Sequence, residues 1–309
     1  MVFFPHSKIN LGLRILRKRE DGFHELETVF YPLPVRDVLE SVRAEELLFS
    51  QAGLPVPGDP SQNLCLKAFH LLKKDFPELP FVHIHLYKHI PIGAGLGGGS
   101  SDGAGMLRLL NDQFHLGLTP EQLTNYAAQL GSDCPFFIGD GPCLGKGRGE
   151  RLEPLALDLS SYSFLIIHPG IHISTARAFS LCTPRMGGGS PAGAGKPVAG
   201  SGKPVAGSGK SVDGTGKPVA EIVAQPVASW AGELVNDFEG PVFGEYPSLR
   251  LIKEELYRRG AVYAALTGSG SGLFGIFEKG KAEAAGYGDG GKAPGVDGWD
   301  PAYAVIVVK

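Results

Sequence analysis

The sequence predicts a mixed α+β chain of two lobes, and three observations carry that reading. Phe81-Val-His-Ile-His-Leu-Tyr-Lys88 alternates apolar and polar residues with a period of two, as a half-buried strand does. Ser101 to His115 sets Met106, Leu107, Leu109 and Leu110 at helical spacing behind a polar start. Short apolar runs bounded by turn residues recur late in the chain, at 163–168, 261–266, 273–277 and 302–308. The length of 309 residues fits one large domain or two ordinary ones, and 43% hydrophobic against 20% charged residues excludes wholesale disorder. A lobe boundary is expected near 153–162, dividing the chain into 1–155 and 156–309.

Taken in order, strand 81–88 runs into the glycine-rich stretch 91–102, which opens the helix 101–115. Pro120 to Leu130 reads as a second helix with Thr119 as its N-cap. Ser163 to His168 is a short buried strand ending at Pro169-Gly170. Residues 186–220 are of low complexity: Lys196-Pro-Val-Ala-Gly-Ser-Gly recurs at Lys203, in altered form at Lys210, and begins again at Lys217. With one valine per repeat, the block offers too little apolar surface to offset ordering entropy, and it reads as a solvated insertion. Pro247 to Arg259 is an amphipathic helix stopped by Gly260, and Ala284 to Gly298 reads as a second glycine-rich surface loop.

Composition narrows the function. Lys+Arg 29 against Asp+Glu 32 leaves a formal charge of −3, so no general basic field exists to hold nucleic acid or an anionic membrane. Cys65, Cys134, Cys143 and Cys182 lie far apart with no Cys-x-x-Cys pair, which indicates neither a zinc site nor a disulfide framework and fits a reducing, cytoplasmic setting. No apolar run reaches the roughly 18 residues of a spanning helix. The first eight residues lack the pattern of a secretion signal. His83 and His85 share a strand face, but no third ligand is spaced to join them.

The strongest local signal is Pro91-Ile-Gly93-Ala-Gly95-Leu-Gly97-Gly98-Gly99-Ser100-Ser101-Asp102. Glycines let backbone N–H groups approach a ligand closely, and a helix N-terminus adds unpaired donors and a positive dipole end. Such a turn suits a polyphosphate. Gly93-x-Gly95-x-x-Gly98 formally matches the dinucleotide fingerprint, yet the acidic residue due roughly 20 positions on falls inside the helix holding Asn111 and Asp112. The P-loop fails because Gly99 stands at its lysine position. Protein-kinase hallmarks are missing too, and Asp237-Phe238-Glu239 only superficially imitates one of them.

Three separated segments, Ser7-Lys8-Ile9-Asn10-Leu11, the 91–101 loop and Thr267-Gly268-Ser269-Gly270-Ser271-Gly272, together resemble the three motifs of the GHMP small-molecule kinases. Asp21-Gly22-Phe23-His24, Gly131-Ser132-Asp133-Cys134-Pro135 and His168-Pro169-Gly170 resemble the members of that family that act on cytidine-diphosphate methylerythritol in the non-mevalonate isoprenoid pathway. The likeness covers nearly the whole chain outside the two glycine-rich insertions. It implies a ribosomal-S5-like N-terminal lobe, a ferredoxin-like C-terminal lobe, and a cleft between them where the γ-phosphoryl of ATP passes to the 2-hydroxyl of the erythritol moiety. A GHMP kinase acting on another alcohol, of the mevalonate or homoserine type, is the alternative. A nicotinamide oxidoreductase rests on the three glycines alone, and an RNA-binding module lacks its basic stripe.

The resemblance also assigns residues. Asp133 is implied as the base accepting the hydroxyl proton, although an Asp in such a turn is otherwise a turn former or cap. Lys8 is implied beside it, stabilising charge on the transferred phosphoryl oxygens, where a bland reading is a solvated strand end. Gly93, Gly95, Gly97, Gly98, Gly99, Ser100 and Ser101 are implied to hold the phosphates. Asn63 and Lys88 would lie near the adenine, their plain alternatives being a helix N-cap and a solvated strand end. Mg²⁺ is implied with ATP, but the sequence names no protein ligand for it. For the acceptor, Phe23, Phe30 and Phe179 would stack on the base, His24 would bond its edge, and Asn10 would sit near the reacting end; without the motifs the phenylalanines read as core. Gly268, Ser269 and Gly270 would approach the phosphates from the other lobe. A monomer or a homodimer fits equally well.

Overall fold

The computed structural model describes residues 1–182, 217–284 and 304–308. Most of the 186–220 repeat block and nearly all of the 284–298 loop therefore lie outside the described residues. The chain starts with β1 (Val2–Phe3), then two long strands, β2 (His6–Lys18) and β3 (His24–Arg36), followed by β4 (Val38–Arg43) and β5 (Leu48–Gly53). Next come α1 (Leu64–Asp75), β6 (Val82–Lys88), α2 (Gly98–Phe114) and α3 (Pro120–Leu130). A 3₁₀ turn at Cys134–Ile138 leads into β7 (Cys143–Gly147), β8 (Arg151–Pro154) and β9 (Tyr162–His168). The remainder holds α4 (Thr175–Leu181), α5 (Val219–Val223), α6 (Glu239–Glu245), α7 (Pro247–Arg258), β10 (Tyr263–Leu266), β11 (Leu273–Glu278), α8 (Lys281–Ala284) and β12 (Ala304–Val308).

Three four-stranded sheets result, in the orders β1-β4-β6-β5, β2-β3-β7-β8 and β10-β11-β9-β12. In the first, the alternation read from 81–88 is real: Val82, Ile84 and Leu86 are fully buried, packed with Leu107 and Leu110 of α2 and Phe69 of α1. The third sheet is antiparallel, and its four strands fall in the spatial order fourth, first, third, second along the chain. That order is the ferredoxin-like arrangement. Helices α6 and α7 cover one face through Val242, Phe243, Leu249, Ile252 and Leu256. The middle sheet joins the two: Ile9, Leu11 and Val29 share one apolar cluster with Phe164, Ile166, Tyr263 and Phe274.

Two expectations change. Helix α2 starts at Gly98, three residues before the apolar spacing placed it. A Cβ at Gly98 would lie 3.0 Å from Ile90, so glycine lets the first turn close down on the strand end. The last repeat of the insertion is not a linker. Val219 is 1% exposed within the core, begins α5, and donates its N–H to Glu27 at 2.6 Å. The same valine spacing that looks solvated in the repeats is here followed by Ile222 and Val223, which complete an apolar face. The Thr119 cap holds as read, with Gln122 closing a capping box.

Candidate functional site

Strand β2 carries the first functional side chain into the interior. Its partner at Lys8 is Pro32, and the Lys8 N–H turns instead to the carbonyl of Leu96 in the glycine loop at 3.0 Å. Backbone pairing thus fixes the loop to the strand. The Lys8 side chain is only 3% exposed, and its Nζ lies 3.4 Å from Asp133 Oδ2, donates to Asn10 Oδ1 at 2.5 Å, and stands 5.4 Å over the Phe30 ring. Asp133, 36% exposed, sits at the head of the 134–138 turn, so the pair has one buried and one solvent-facing member. A cation held this way retains its position without the entropy cost of a surface pair. The two residues the motifs assign to chemistry are adjacent.

Above them lies the glycine loop. Gly93, Gly95 and Gly97 each have φ near +72°, the left-handed region that favours glycine. At Gly97 the need is doubled, because a Cβ would also fall 2.7 Å from Phe137 and 3.1 Å from the Lys8 stem. Gly97 caps α2 with no side-chain bond, and the first intrahelical bond runs from Ser101 N–H to its carbonyl at 2.9 Å. The amides of Gly98, Gly99 and Ser100 therefore stand ahead of the helix ladder, at its positive end. Gly99 is exposed, with nothing within 4 Å of its would-be Cβ. A hollow of about 350 Å³ opens beside the loop, lined by it and by Asn63, Leu64, Lys88 and Asp102.

The third motif closes against the second. Thr267 Oγ1 accepts the Asn10 N–H at 3.2 Å and donates to the Gly95 carbonyl at 3.2 Å, and the Ser271 N–H reaches the Gly93 carbonyl at 3.2 Å. A Cβ on Gly95 would collide with the Thr267 carbonyl. Asn236 fastens this joint from behind, donating to Leu266 and Gly268 carbonyls at 2.9 and 2.8 Å. Gly268 and Gly270 are buried, and the Ser269 hydroxyl lies 3.2 Å from that of Thr175. All three motifs meet at one point.

Not every expected residue presents itself to a ligand. Asn10 is 2% exposed, its amide occupied by Lys8 and, at 3.0 Å, by Thr28 Oγ1; it orients Lys8 and offers no face to an acceptor. Phe30 is also 2% exposed, wedged between Phe136 and Gly145, so it is a wall beneath the ammonium and has no free face for a base. Both placements follow from the β2–β3 pairing, Asn10 opposite Phe30, which turns this stretch inward. Phe23, in contrast, is 51% exposed with the Arg148 guanidinium 4.8 Å over its ring. His24 and Phe179 stack on each other, 4.5 Å apart and 8° from parallel, bringing the start of β3 against α4. Burial and the Lys18 charge lower the His24 pKa. Asn63 serves both readings: its Oδ1 caps α1 through the Cys65 N–H at 2.8 Å, and the residue lines the hollow.

Lys88 is not a solvated strand end. Its Nζ donates to Asp102 Oδ2 at 2.7 Å and to Asp37 Oδ2, all three side chains being almost wholly buried. Sequence reading missed Asp37 and Asn236, and gave no role to Asp102 and Thr267, which it placed only as ends of their motifs. A carboxylate amid the Gly, Ala, Met and Leu of α2 was the signal available for Asp102, since a lone charge on a buried stripe demands a partner. Asp37 has no such mark. Among the described residues no group of three His, Cys, Asp or Glu could hold a metal, all four cysteines are free, and no helix is long and apolar enough to cross a membrane. Ser50 Oγ occupies the space between His83 and His85, 2.7 Å from each.

Comparison with known proteins agrees with this assembly. The model of the GHMP kinases N terminal domain matches residues 63–141, and that of the GHMP kinases C terminal domain matches 221–287. The 4-diphosphocytidyl-2-C-methyl-D-erythritol kinase of Cytophaga hutchinsonii is 44% identical over 278 residues, covering 90% of this chain and 92% of its own. That of Bacteroides fragilis is 44% identical over 281 residues, with the same coverage. A crystal structure of 4-(cytidine 5'-diphospho)-2C-methyl-D-erythritol kinase superposes with a TM-score of 0.71 at 30% identity, covering 92% of this chain and 93% of that one. A homoserine kinase from Cytophaga hutchinsonii shares the fold, with a TM-score of 0.58 at 16% identity over 98% of this chain and 94% of its own. Motif order, site geometry and these kinships make the chain a member of the GHMP kinase family.

Proposed function

We propose that this enzyme transfers the γ-phosphoryl group of ATP to the 2-hydroxyl of 4-diphosphocytidyl-2-C-methyl-D-erythritol. The observation that carries the reading is the Lys8–Asp133 contact of 3.4 Å directly beneath the amides that start α2. An alcohol is a weak nucleophile, and Asp133 Oδ, on the solvent-facing side of the pair, accepts its proton as the oxygen attacks phosphorus. Lys8, held by Asn10 over Phe30, neutralises charge gathering on the transferred oxygens. The N–H groups of Gly98, Gly99 and Ser100 receive phosphate oxygens, and Ser101 and Gly93 to Gly97 shape the turn. Phosphoryl transfer asks mainly for positioning and charge neutralisation, which this arrangement supplies.

The hollow beside Asn63 and Lys88 is the proposed nucleoside site. For the acceptor, Phe23, His24 and Phe179 form the proposed base platform, and parting the His24–Phe179 stack makes room for the ring. Gly268, Ser269 and Gly270 complete the cleft opposite the glycine loop. Mg²⁺ supplies charge neutralisation when it accompanies ATP. The described residues offer no dedicated cation cage, both nearby aspartates being tied to lysines, so phosphate oxygens and water are its proposed ligands and no step is routed through it. Free thiols in all four cysteines suit the proposed cytoplasmic setting. A turnover assay with ATP against cytidine-diphosphate methylerythritol, mevalonate, homoserine and galactose tests the reading. The first alone is expected to be phosphorylated efficiently; preference for any other overturns the acceptor assignment.

A further inference from the structure

Asp37, Lys88 and Asp102 are 0%, 3% and 3% exposed and come from three different places: the joint between β3 and β4, the end of β6, and the second turn of α2. Asp37 Oδ1 accepts the N–H groups of His89 at 2.6 Å and Ile90 at 2.8 Å, where the glycine loop leaves β6. Its Oδ2 takes the Lys88 ammonium, which also reaches Asp102 Oδ2 at 2.7 Å, just after the loop has become α2. The two ends of the loop are therefore tied through one cation. A Cβ on Gly98 would lie 3.2 Å from that Nζ, so the cluster sits directly behind the first turn of the helix. Asp102 Oδ1 has no hydrogen-bond partner although it is buried, and the residue lines the hollow.

We propose that Asp37, Lys88 and Asp102 form a clasp of positioning residues whose charge state tunes the affinity of the glycine loop for nucleotide phosphates. The inference rests on the nucleotide reading above. Two carboxylates against one ammonium leave a buried excess of one negative charge unless a proton is held. Burial is the largest influence on Asp102 and raises its pKa to about 8, with Lys88 opposing and Asp37 reinforcing. Cys65 of α1 also faces it among the described residues, and burial pushes that thiol far above its usual range. Near neutrality the clasp holds its proton and is uncharged overall. In alkali Asp102 ionises and sets an anion behind the amides that meet phosphate. The sign follows: losing that proton weakens phosphate binding, and bound phosphate raises the Asp102 pKa further.

The test is calorimetric titration of the full chain with ADP from pH 7.5 to pH 9, a range in which its phosphates are almost wholly ionised. The dissociation constant of the wild type is expected to rise about three- to tenfold across that range. In Asp102→Asn, which keeps an acceptor for Lys88 but cannot ionise, the rise is expected to vanish. A merely structural Asp102 would weaken binding equally at every pH and leave the slope in place. That result, or a wild type insensitive to pH, overturns the clasp. No binding of ADP at any pH overturns the nucleotide reading itself. Should the variant fail to fold, carboxyl ¹³C resonances of the wild type decide. One is expected to titrate near pH 8 and to move higher with ADP, and the absence of any carboxyl titrating above about pH 6 overturns the proposal.

Discussion

Asp133 has the exposure a proton acceptor needs and a buried cation to steady it, and these two properties come from different elements. Asp133→Asn preserves the shape of the turn and removes the basic oxygen. It is expected to lower kcat at least about a hundredfold while the dissociation constant for ADP stays near that of the wild type, measured by coupled assay and calorimetry. Near-normal turnover would remove Asp133 from the mechanism. At this scale the sequence was legible where a motif fixed a place, as with Lys8 beside Asp133 and the serines in the first turn after the glycines. It was not legible where the role depends on which way a strand faces. Asn10 and Phe30 lie opposite each other in the β2–β3 ladder, and only that pairing turns both inward. Asp37 was invisible for the same reason, since its partners lie 51 to 53 residues away in sequence.

Among elements, the decisive one is the glycine loop with its two clamps, Leu96 to Lys8 and Gly95 to Thr267. Gly95→Ala would place a methyl against the Thr267 carbonyl at a φ of +72°. It is expected to cost about 2–4 kcal/mol, seen as a lowered Tm, and to raise KM for ATP. Gly99→Ala, with open space around it and helical geometry, is expected to leave Tm unchanged or slightly higher. Equal destabilisation by both would show that the joint between the two loops is not what demands glycine. The loop and its flanking strand and helix could be read from spacing alone. The clamps could not, because a hydrogen bond from residue 8 to residue 96 and one spanning 172 residues leave no local pattern.

Across the whole molecule, the middle sheet couples the helix-covered first sheet to the ferredoxin-like third, so the site is assembled from both ends of the chain. The alternation of strands and helices foretold that mixture. The repeat block shows where composition stops being informative: Lys217-Pro-Val-Ala220 matches the copies at Lys196 and Lys203, yet Val219 is core. Excising 187–215 is expected to leave turnover largely intact, since loop-length changes cost little. Val219→Asp is expected to destabilise the fold by about 2–4 kcal/mol in urea unfolding, because it buries a charge with no partner. Loss of folding on the excision alone would reverse that ranking. The most direct test of the account is ³¹P NMR of a reaction holding this enzyme, ATP, Mg²⁺ and cytidine-diphosphate methylerythritol. It predicts one new monophosphate ester, on the 2-hydroxyl, formed mole for mole with ADP. Release of inorganic phosphate without an ester, or a phosphoryl group appended to the diphosphate instead, would contradict it.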